Sequence, residues 1–414
     1  MTRVAQMTSE GLITPEGHIG LTWQNTKYQI LNTKMEILNY TEEHKAFRER
    51  LKTFVAKEVT PNVDQWEKDG IEPKSIWRKM GQNGFLCTDV PQAYNGPGGD
   101  FLYSVIVTEE LSHTLHTGLA AVLHSDIVVP YISAFGSEVL KQKYLPGCVS
   151  GDIITAIAMT EPGAGSDLAS IATTAEEEGD EVIINGSKTF ISNGINGELI
   201  IIAARDPAVE NPYQAISLYL VEHGTPGFER GRHLEKMGWW SQDTAELFFS
   251  KCRIPTANRL GEKGMGFLML MQKLQQERLM CALGALVAGE RMVEWITDYC
   301  RQTKVSGKPL SKSQVTQFAL VEMATDIKLG RAFTEKLVAE HMERKDIIVE
   351  TSMAKFWTTE MANRIADRSI DLCGDYGMLE KCVMVRAWRD IRVTRIFAGT
   401  NEVMRGIAAK FMGL

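Results

Sequence analysis

The chain has 414 residues, of which 44% are hydrophobic, 23% charged and 8% aromatic. This is the composition of an ordinary globular protein, and the length is enough for two or three structural units with substantial cores. Lys and Arg number 45 against 52 Asp and Glu, so the net charge of −7 argues against a nucleic-acid or anionic-membrane surface. It does not exclude an anionic ligand held by local basic groups.

Cysteine and histidine patterns indicate neither a disulfide framework nor a metal site. The seven cysteines are scattered and form no C-x-x-C pair, which is typical of a reducing compartment. His113, His116 and His124 lack an H-E-x-x-H pattern or a cysteine partner, so packing or capping roles are expected for them.

Residues 1–39 show neither a signal-peptide core nor an Arg-rich transit pattern, and we interpret them as an extension. No apolar run approaches the ~20 residues that span a bilayer. The cytoplasm is therefore the default location.

The first predicted domain, residues 40–151, is helical. Thr41 precedes two acidic residues as an N-cap, and apolar residues follow at helical spacing. A Gly- and Pro-rich loop at 95–100 separates this helix from a second one at 102–112. Residues 119–135 are almost entirely apolar, which predicts a helix within the core.

The second predicted domain, residues 152–262, has the sequence pattern of a small antiparallel β domain. Short apolar runs are separated by turn signals such as Asn185-Gly186. The predicted strands are 153–159, 181–184, 199–203, 216–221 and 247–249.

The third predicted domain, residues 263–414, reads as a C-terminal four-helix bundle. Its predicted helices are 264–303, 311–343, 348–373 and 400–412. The expected fold class is therefore α+β, mainly α, with an N-terminal helical domain, a middle antiparallel β domain and the helical bundle.

A carboxylate interrupts the apolar face of the predicted helix 264–303. At helical spacing this face contains Leu270, Leu274, Glu277, Cys281, Gly284 and Ala288. A buried acid is costly unless it is paired or protonated, and the small residues beyond it leave room for a ligand. The pattern makes Glu277 a candidate general base whose pKa apolar surroundings would raise. The alternative is an ion pair with Lys273 or with another helix.

A glycine-rich loop at 159–167 follows the first predicted strand. Backbone amides in such a loop can approach a flat heterocycle or a phosphate closely. It is not a Rossmann fingerprint, because no helix follows and the G-x-G-x-x-G spacing is absent. By itself the loop also fits a tight turn with Asp167 as a local cap.

Four separated motifs carry a resemblance that covers the chain from about Tyr40 to Met412. They are A-M-T-E-P-G-A-G-S-D at 158–167, N-G-S-K-T-F-I-S-N-G at 185–194, K-M-G-W-W-S-Q-D-T-A-E-L-F-F at 236–249, and Arg389-Asp390 followed by A-G-T-N-E-V at 398–403. With these motifs in order on a helix–β–helix layout, the chain resembles the acyl-CoA dehydrogenase family. Q-E-R-L at 276–279 makes it most similar to the long-chain and isovaleryl-CoA branch.

The resemblance implies that an acyl-CoA is oxidised to its 2,3-enoyl thioester with FAD as cofactor, since no side chain accepts a hydride. It places the flavin against Ile157, Ala158, Met159, Thr160, Ser166, Phe190, Ile191 and Ser192. It assigns the adenosine and diphosphate side, partly from a neighbouring subunit, to Gln314, Asp371, Asp375, Thr400 and Glu402.

The position of the base is where this sequence is most informative. Many members of the family carry it in a Glu-Gly-Thr near the C-terminus, where this chain has Ala398. The long-chain and isovaleryl branch carries it in Glu-Arg-Leu on the bundle helix, which here is Glu277-Arg278-Leu279. The resemblance thus selects Glu277, while the Ala398 N–H remains a donor to the thioester oxygen. Ser166, Arg278, Ala398 and Gly399 are expected on the substrate side.

Several positions depart from the family pattern. Thr303 stands where an Arg usually meets the FAD diphosphate, so that role is unfilled or passes to Arg301 or Lys304. Asp371 and Asp375 would repel a diphosphate unless they face ribose hydroxyls or solvent.

Trp239 and Trp240 stand where smaller or basic residues are common. They are expected either to wall an acyl pocket or cover the flavin, or to pack against the bundle.

The sequence therefore predicts a flavoprotein acyl-CoA dehydrogenase that passes electrons to an electron-transfer flavoprotein and assembles as a homotetramer. It predicts no metal, no nucleic-acid partner and no membrane span. The alternatives are an acyl-CoA oxidase that uses oxygen and a catalytically silent flavin- or CoA-binding scaffold. The acyl group is left open among straight, branched, alicyclic, aromatic and dicarboxylic chains.

Overall fold

The computed structural model describes residues 37–116 and 118–414, so the predicted extension lies outside the described residues except for its last three positions. The N-terminal unit is helical. Its helices are α1 (Glu42–Phe54), α2 (Val63–Asp69), α3 (Lys74–Gln82), α4 (Phe101–Ser112), α5 (Val129–Phe135) and α6 (Glu138–Ser150).

Helix starts in this unit follow the predicted chemistry. The Thr41 hydroxyl accepts from the backbone N–H of His44 at 3.3 Å, and the His44 ring nitrogen accepts from the Thr41 N–H at 3.1 Å. Asp100 caps α4 in the same way, accepting from the Leu102 N–H. The apolar segment 119–135 forms a π-helical stretch, Leu123–Val128, followed by α5, and it is largely buried as predicted.

The middle unit is built around an eight-stranded sheet. Its strands are β1 (Thr155–Ala158), β2 (Thr174–Glu178), β3 (Glu181–Ile191), β4 (Leu199–Arg205), β5 (Ile216–Glu222), β6 (Phe228–His233), β7 (Ala245–Pro255) and β8 (Arg259–Leu260). A short helix, α7 (Pro212–Ala215), precedes β5. The strand order is β6-β7-β3-β2-β4-β5-β8, and β1 pairs with β4.

The sheet is mixed rather than wholly antiparallel, because β1 runs parallel to β4 with Ile157 opposite Ile201. The predicted turn at Asn185-Gly186 is absent, since β3 continues through it with a shift in register against β7. Gly186 has a φ of 147°, and a Cβ there would lie 2.5 Å from the Thr173 hydroxyl. Strands β2 and β6 were not predicted because their sequences are polar.

The C-terminal unit is a helical bundle, as predicted. It contains α8 (Gly266–Gln302), α9 (Gln314–Met342), α10 (Ile348–Cys373), α11 (Val383–Ile391) and α12 (Asn401–Phe411), with a small hairpin of β9 (Lys304–Val305) and β10 (Lys308–Pro309) after α8. Helices α8 and α10 run in the same direction: Gly289 approaches Met361 and Ile365, and the Tyr299 hydroxyl bonds the Cys373 carbonyl.

A buried ionic cluster joins the first unit to the bundle. Arg331 on α9 bonds Glu109 on α4 at 2.6 Å and also pairs with Glu290 on α8. Arg48 on α1 reaches Glu109 at 2.6 Å and Glu110 at 2.7 Å. These contacts hold α4 against α8, the helix that carries Glu277. Within residues 37–116 and 118–414, no helix is long and apolar enough to cross a membrane.

Candidate active site

Glu277 lies on α8 with Leu270 and Leu274 buried on the same face. Its side chain is partly buried, and its Oε2 atom is shielded from solvent without a hydrogen-bond partner. The alternative of an ion pair with Lys273 is not what the structure shows, because the Lys273 ammonium lies over the Phe135 ring, 5.6 Å from its centre. Glu277 is therefore a carboxyl group with unfilled hydrogen-bonding capacity.

Burial raises the pKa of Glu277 to about 7. The nearby charges of Arg278 and Lys355 act in the opposite direction and keep the pKa from rising further. A carboxyl group with such a pKa exchanges protons near neutrality, which is the property a general base needs.

Glu277 and two neighbouring residues each have a buried polar atom without a hydrogen-bond partner. These atoms are Glu277 Oε2, Arg278 Nε and Tyr131 Oη. Tyr131 and Arg278 are close enough to Glu277 for its charge to shift their pKa values. Because buried polar groups are nearly always paired, such a cluster among the described residues marks a place that a polar ligand completes.

The second part of the site is the turn that leads into α12. Ala398 has a φ of 56° and Gly399 a φ of 85°, so both residues adopt the left-handed conformation. For Ala398 this conformation is strained, and such strain persists where the surroundings over-determine it. The Thr400 hydroxyl caps α12 by accepting from the Val403 N–H at 3.2 Å.

Lys355 on α10 connects this turn to Glu277. Its ammonium group, which is fully buried, donates to the Gly399 carbonyl at 2.7 Å and to Asn401 Oδ1 at 3.1 Å. It is also close enough to Glu277 for the two charges to shift each other's pKa. Lys355 therefore lies against the 398–399 turn and near Glu277 and Arg278.

A buried ion pair joins the two motifs assigned to the flavin. Lys188 donates to Glu161 Oε1 at 2.7 Å and to the Met159 carbonyl at 3.1 Å, and the Thr189 N–H donates to the Thr160 carbonyl at 2.9 Å. Glu161 also accepts backbone N–H groups from Ala172 and Thr173. The predicted flavin residues 157–160 therefore lie beside 190–192.

Phe190 has the features of a ligand-contacting aromatic residue. It lies at a register shift of β3 with a φ of 58°, and 66% of its surface is exposed. A large apolar ring held in a strained, exposed position is unfavourable unless something covers it. Ile191 is buried behind it, and Ser192 is partly exposed.

The glycine-rich loop presents an open surface. A Cβ atom at Gly163 or Gly165 would meet nothing within 4 Å, and Ser166 is exposed. The Asp167 carboxylate accepts from the Ser170 hydroxyl and makes no capping bond to a backbone N–H. Together with the exposed ring of Phe190, this surface fits a flat heterocycle such as a flavin.

Tryptophans 239 and 240 dock the middle unit onto the bundle. The backbone N–H of Trp239 donates to Asp390 Oδ1 at 2.6 Å, and its ring N–H donates to the Asp390 carbonyl at 3.0 Å. The Arg389 guanidinium stacks on Trp240, 3.6 Å from the ring centre. Trp239 also meets Phe397 edge-on at 5.3 Å, next to Ala398. Packing against the bundle is thus the observed role.

The other predicted cofactor residues are spread over the bundle. Thr400 and Glu402 begin α12 near Lys355. Gln314, Asp371 and Asp375 are exposed where α9 begins and α10 ends. Because α10 rises about 1.5 Å per residue, Asp371 is about 24 Å from Lys355. One chain does not bring these three residues to Glu277.

The described residues contain no group of three or more His, Cys, Asp or Glu side chains placed to hold a metal ion. His124 is buried between the backbone N–H of Thr155 and the carbonyl of Cys148, and His116 bonds the Ser241 hydroxyl at 2.7 Å. These contacts are packing roles, as the sequence predicted.

Sequence reasoning missed Lys188, Glu161 and Lys355. The signal for Lys355 was present, since it is the one charged residue on a helical face with Thr351, Thr358, Ala362 and Ile365. Lys188 and Glu161 lie in two separate motifs with opposite charges, but nothing in the sequence indicates that the two motifs touch.

Known proteins resemble this chain along most of its length. Three family models match: the acyl-CoA dehydrogenase N-terminal domain at residues 41–152, the middle domain at 156–252 and the C-terminal domain at 264–413. The mitochondrial long-chain specific acyl-CoA dehydrogenase of Sus scrofa is 41% identical over 372 residues, which are 90% of this chain and 86% of that protein.

Two solved structures extend the comparison. The crystal structure of an acyl-CoA dehydrogenase from Geobacillus kaustophilus is 51% identical, with a TM-score of 0.89, and the match covers 91% of this chain and 99% of that one. The second structure comes from work on an electron transferring flavoprotein of Acidaminococcus fermentans and on flavin-based electron bifurcation. Its sequence is 32% identical to that of this chain. Its TM-score is 0.86, with 91% of this chain and 99% of that one covered.

Proposed function

Because the chain belongs to the acyl-CoA dehydrogenase family, whose members are FAD-dependent oxidoreductases, we propose that it oxidises an acyl-CoA to the 2,3-enoyl-CoA and passes the electrons to an electron-transfer flavoprotein. The observation that carries the proposal is the cluster of unpartnered buried atoms at Glu277, Arg278 and Tyr131. It offers a base with a pKa of about 7 and polar groups for a thioester in one place.

Glu277 removes the α-proton of the acyl group. Burial raises the pKa of Glu277 and so makes its carboxylate a stronger base than an exposed one, while Arg278 and Lys355 keep the pKa near 7, so that a large fraction is ionised at neutral pH. The Ala398 N–H donates to the thioester carbonyl and stabilises the negative charge that develops as the proton leaves. The turn 398–399 is held in advance, so no reorganisation is needed at that moment.

The residues that would hold FAD are those of 157–160, Ser166 and 190–192, with Thr400 and Glu402 at the start of α12. FAD, when bound, accepts the hydride that leaves the β-carbon, which no side chain can do. Phe190 and the loop 159–167 exclude water from that side of the substrate.

Anaerobic addition of acyl-CoA thioesters to the purified holoprotein tests the proposal. Bleaching of the flavin band is expected with at least one thioester of a panel of straight, branched, aromatic and dicarboxylic acyl groups. A panel that leaves the band unchanged while the thioesters bind would support the silent scaffold instead.

The electron acceptor is tested with the same reduced protein. Slow reoxidation in air and fast reoxidation by an electron-transfer flavoprotein are expected. The proposal for this acceptor is supported by the structural similarity to a protein studied with such a flavoprotein. Fast reoxidation by oxygen alone would identify an oxidase.

The pH dependence of the reaction should reveal Glu277. A base must be deprotonated, and burial raises the pKa of Glu277 to about 7. We therefore expect kcat/KM to fall about tenfold per pH unit below pH 7 and to level off above it. Stopped-flow flavin reduction at subsaturating acyl-CoA measures this profile, and a flat profile between pH 5.5 and 8.5 would contradict the assignment.

We also propose that the acyl chain runs along α8 toward Gly284. This glycine lies two turns beyond Glu277, about 10 Å along the helix. A Cβ there would meet the Ser112 hydroxyl at 3.6 Å and the Thr108 methyl at 3.9 Å, so a methyl group would fit in ordinary contact with α4 and a larger side chain would press on it. The similarity to the long-chain relative supports a long acyl chain along this part of α8.

Gly284→Leu is expected to lower kcat/KM for palmitoyl-CoA at least tenfold. The kcat/KM for butyryl-CoA should stay within a factor of three of wild type, because the new side chain would meet only the end of a long acyl chain, away from Glu277. Steady-state rates with both thioesters measure the ratio. Gly406→Leu is the matched control, since Gly406 lies on the exposed face of α12 with nothing within 4 Å. Equal losses with both substrates would contradict this course of the chain.

The proposal includes a homotetramer. Helix α9 exposes a row of apolar side chains, namely Val315 (78% exposed), Phe318 (59%), Val321 (64%) and Leu329 (60%). An apolar groove of about 540 Å³ lies between α9, α10 and α12. Exposed patches of this kind mark interfaces. A second copy would also bring another set of Gln314, Asp371 and Asp375 within reach of the cofactor.

The cytoplasm is the proposed location. Its support is that all seven cysteines are free, and Cys281 is the one that is not fully buried. Free thiols are typical of a reducing compartment.

A further inference from the structure

We propose that Lys355 is a positioning residue that holds the 398–399 turn in its reactive conformation and places a positive charge near Glu277. The proposal rests on the proposed function, in which Ala398 binds the thioester oxygen and Glu277 takes the proton. The role is one of geometry and charge, since nothing requires Lys355 to touch the substrate.

Burying an ammonium group is costly unless its donors are satisfied. Lys355 is fully buried on α10, and it donates to the Gly399 carbonyl at 2.7 Å and to Asn401 Oδ1 at 3.1 Å. Asn401 is itself held by the Thr359 hydroxyl and Glu360. Both acceptors of the ammonium therefore belong to the segment that leads from the turn into α12.

That segment needs an external support. Two consecutive residues, Ala398 and Gly399, have positive φ values, and for Ala398, which carries a Cβ atom, this conformation is strained. A charge-assisted hydrogen bond to the carbonyl of Gly399, which follows the strained Ala398, is stronger than a neutral one. The Lys355 bond to Gly399 thus offsets the strain at the point where the Ala398 N–H is presented.

The same ammonium acts on the base. Glu277 is flanked by Arg278 on its own helix, Tyr131 on α5 and Lys355 on α10, with the Cys281 thiol one turn further along α8. Burial raises the pKa of Glu277, and the positive charges of Arg278 and Lys355 lower it. Removing Lys355 is expected to shift the pH profile upward, because one of the two opposing charges is lost.

Lys355→Met and Lys355→Gln separate the two parts of the role. Methionine removes both the charge and the donors, whereas glutamine removes the charge but keeps an N–H donor on a side chain that is one bond shorter. We expect Lys355→Met to lower kcat for flavin reduction by ~10- to 100-fold with KM within a factor of three, as for a misplaced transition-state donor. Lys355→Gln should recover part of kcat but show the same upward shift of the pH profile.

Hydrogen exchange measured by mass spectrometry provides a readout without turnover. In Lys355→Met, peptides covering 396–404 should exchange at least tenfold faster, while peptides of α8 and β3 keep their wild-type rates. Lys336→Met is the control, since Lys336 is exposed on α9 and pairs with Glu340 at the surface. It should leave every rate unchanged.

The outcomes separate this proposal from the proposed function. If none of the acyl-CoA thioesters bleaches the flavin band of the wild-type protein, the proposed function fails. The exchange data still decide whether Lys355 holds the turn. Wild-type exchange at 396–404 together with an unchanged pH profile in Lys355→Met would overturn the proposal. Faster exchange throughout the bundle in both Lys355 variants would also overturn the proposal, because Lys355 would then contribute to the stability of the whole bundle.

Discussion

Replacing Glu277 by Gln is expected to slow flavin reduction by acyl-CoA ~10³-fold or more. Glutamine keeps the shape and much of the packing of the side chain but cannot accept the α-proton. Ala398, at the alternative base position in the turn before α12, cannot substitute because its methyl group cannot accept a proton. Anaerobic stopped-flow reduction with a saturating acyl-CoA, at the pH of the wild-type plateau, measures the loss.

Glu335→Gln is the matched control for this experiment. Glu335 on α9 has a pKa raised by burial to about 7, and its Oε2 is also buried without a partner, but it lies in the ionic cluster with Arg331. The control variant should reduce its flavin within a factor of three of wild type. Comparable losses in both variants would mean that Glu277 acts through stability, and retained activity in Glu277→Gln would refute its role as the base.

Lys188→Met is expected to destabilise the folded protein by about 3–5 kcal/mol and to release FAD. The substitution leaves the Glu161 carboxylate buried without its counter-charge, and removing one partner of a buried pair is the costly case. It also removes the bond to the Met159 carbonyl, which holds together the two motifs that we propose to face the flavin. Denaturant unfolding and the flavin absorbance retained after gel filtration measure the two effects.

A double-mutant cycle shows whether the pair is the cause. Lys188→Met/Glu161→Gln should be more stable than Lys188→Met alone, because the unpaired charge is gone and the amide oxygen still accepts from one of the Ala172 and Thr173 N–H groups. Lys57→Met is the surface control, with a lysine side chain that is 79% exposed and an expected change within about 0.5 kcal/mol. An additive cycle would argue against the pairing as the source of the effect.

The periodicity of the chain was enough to find most of the bundle. The predicted helices 264–303 and 348–373 correspond to α8 (Gly266–Gln302) and α10 (Ile348–Cys373), because a long amphipathic pattern is a local property that tertiary packing reinforces. Strands β2 and β6 could not be found in this way. Their residues are polar, and they become strands because β3 and β7 offer free edges for hydrogen bonding.

The candidate site also contains one residue that the sequence indicated and others that only the structure shows. Glu277 was visible from sequence since an acid in an apolar helical face is costly wherever the helix packs. Its partners were not visible: the bond between Lys188 and Glu161 spans 27 positions, and the bond between Lys355 and Gly399 spans 44. Side-chain contacts over such separations depend on how the units dock, which periodicity does not encode.

The sequence by itself determined the helix–β–helix order, the family and the position of the candidate base, because these rest on local patterns and on motifs read in order. Only the tertiary structure decided that Lys273 turns to Phe135 and leaves Glu277 without a partner, and that Trp239 and Trp240 dock onto Asp390 and Arg389. It also decided that Lys355 bonds the 398–399 turn and lies close enough to Glu277, the candidate base, to lower its pKa. The physical reason is that the energy of a charge depends on the burial and partners that packing creates, and those come from residues far apart in the chain.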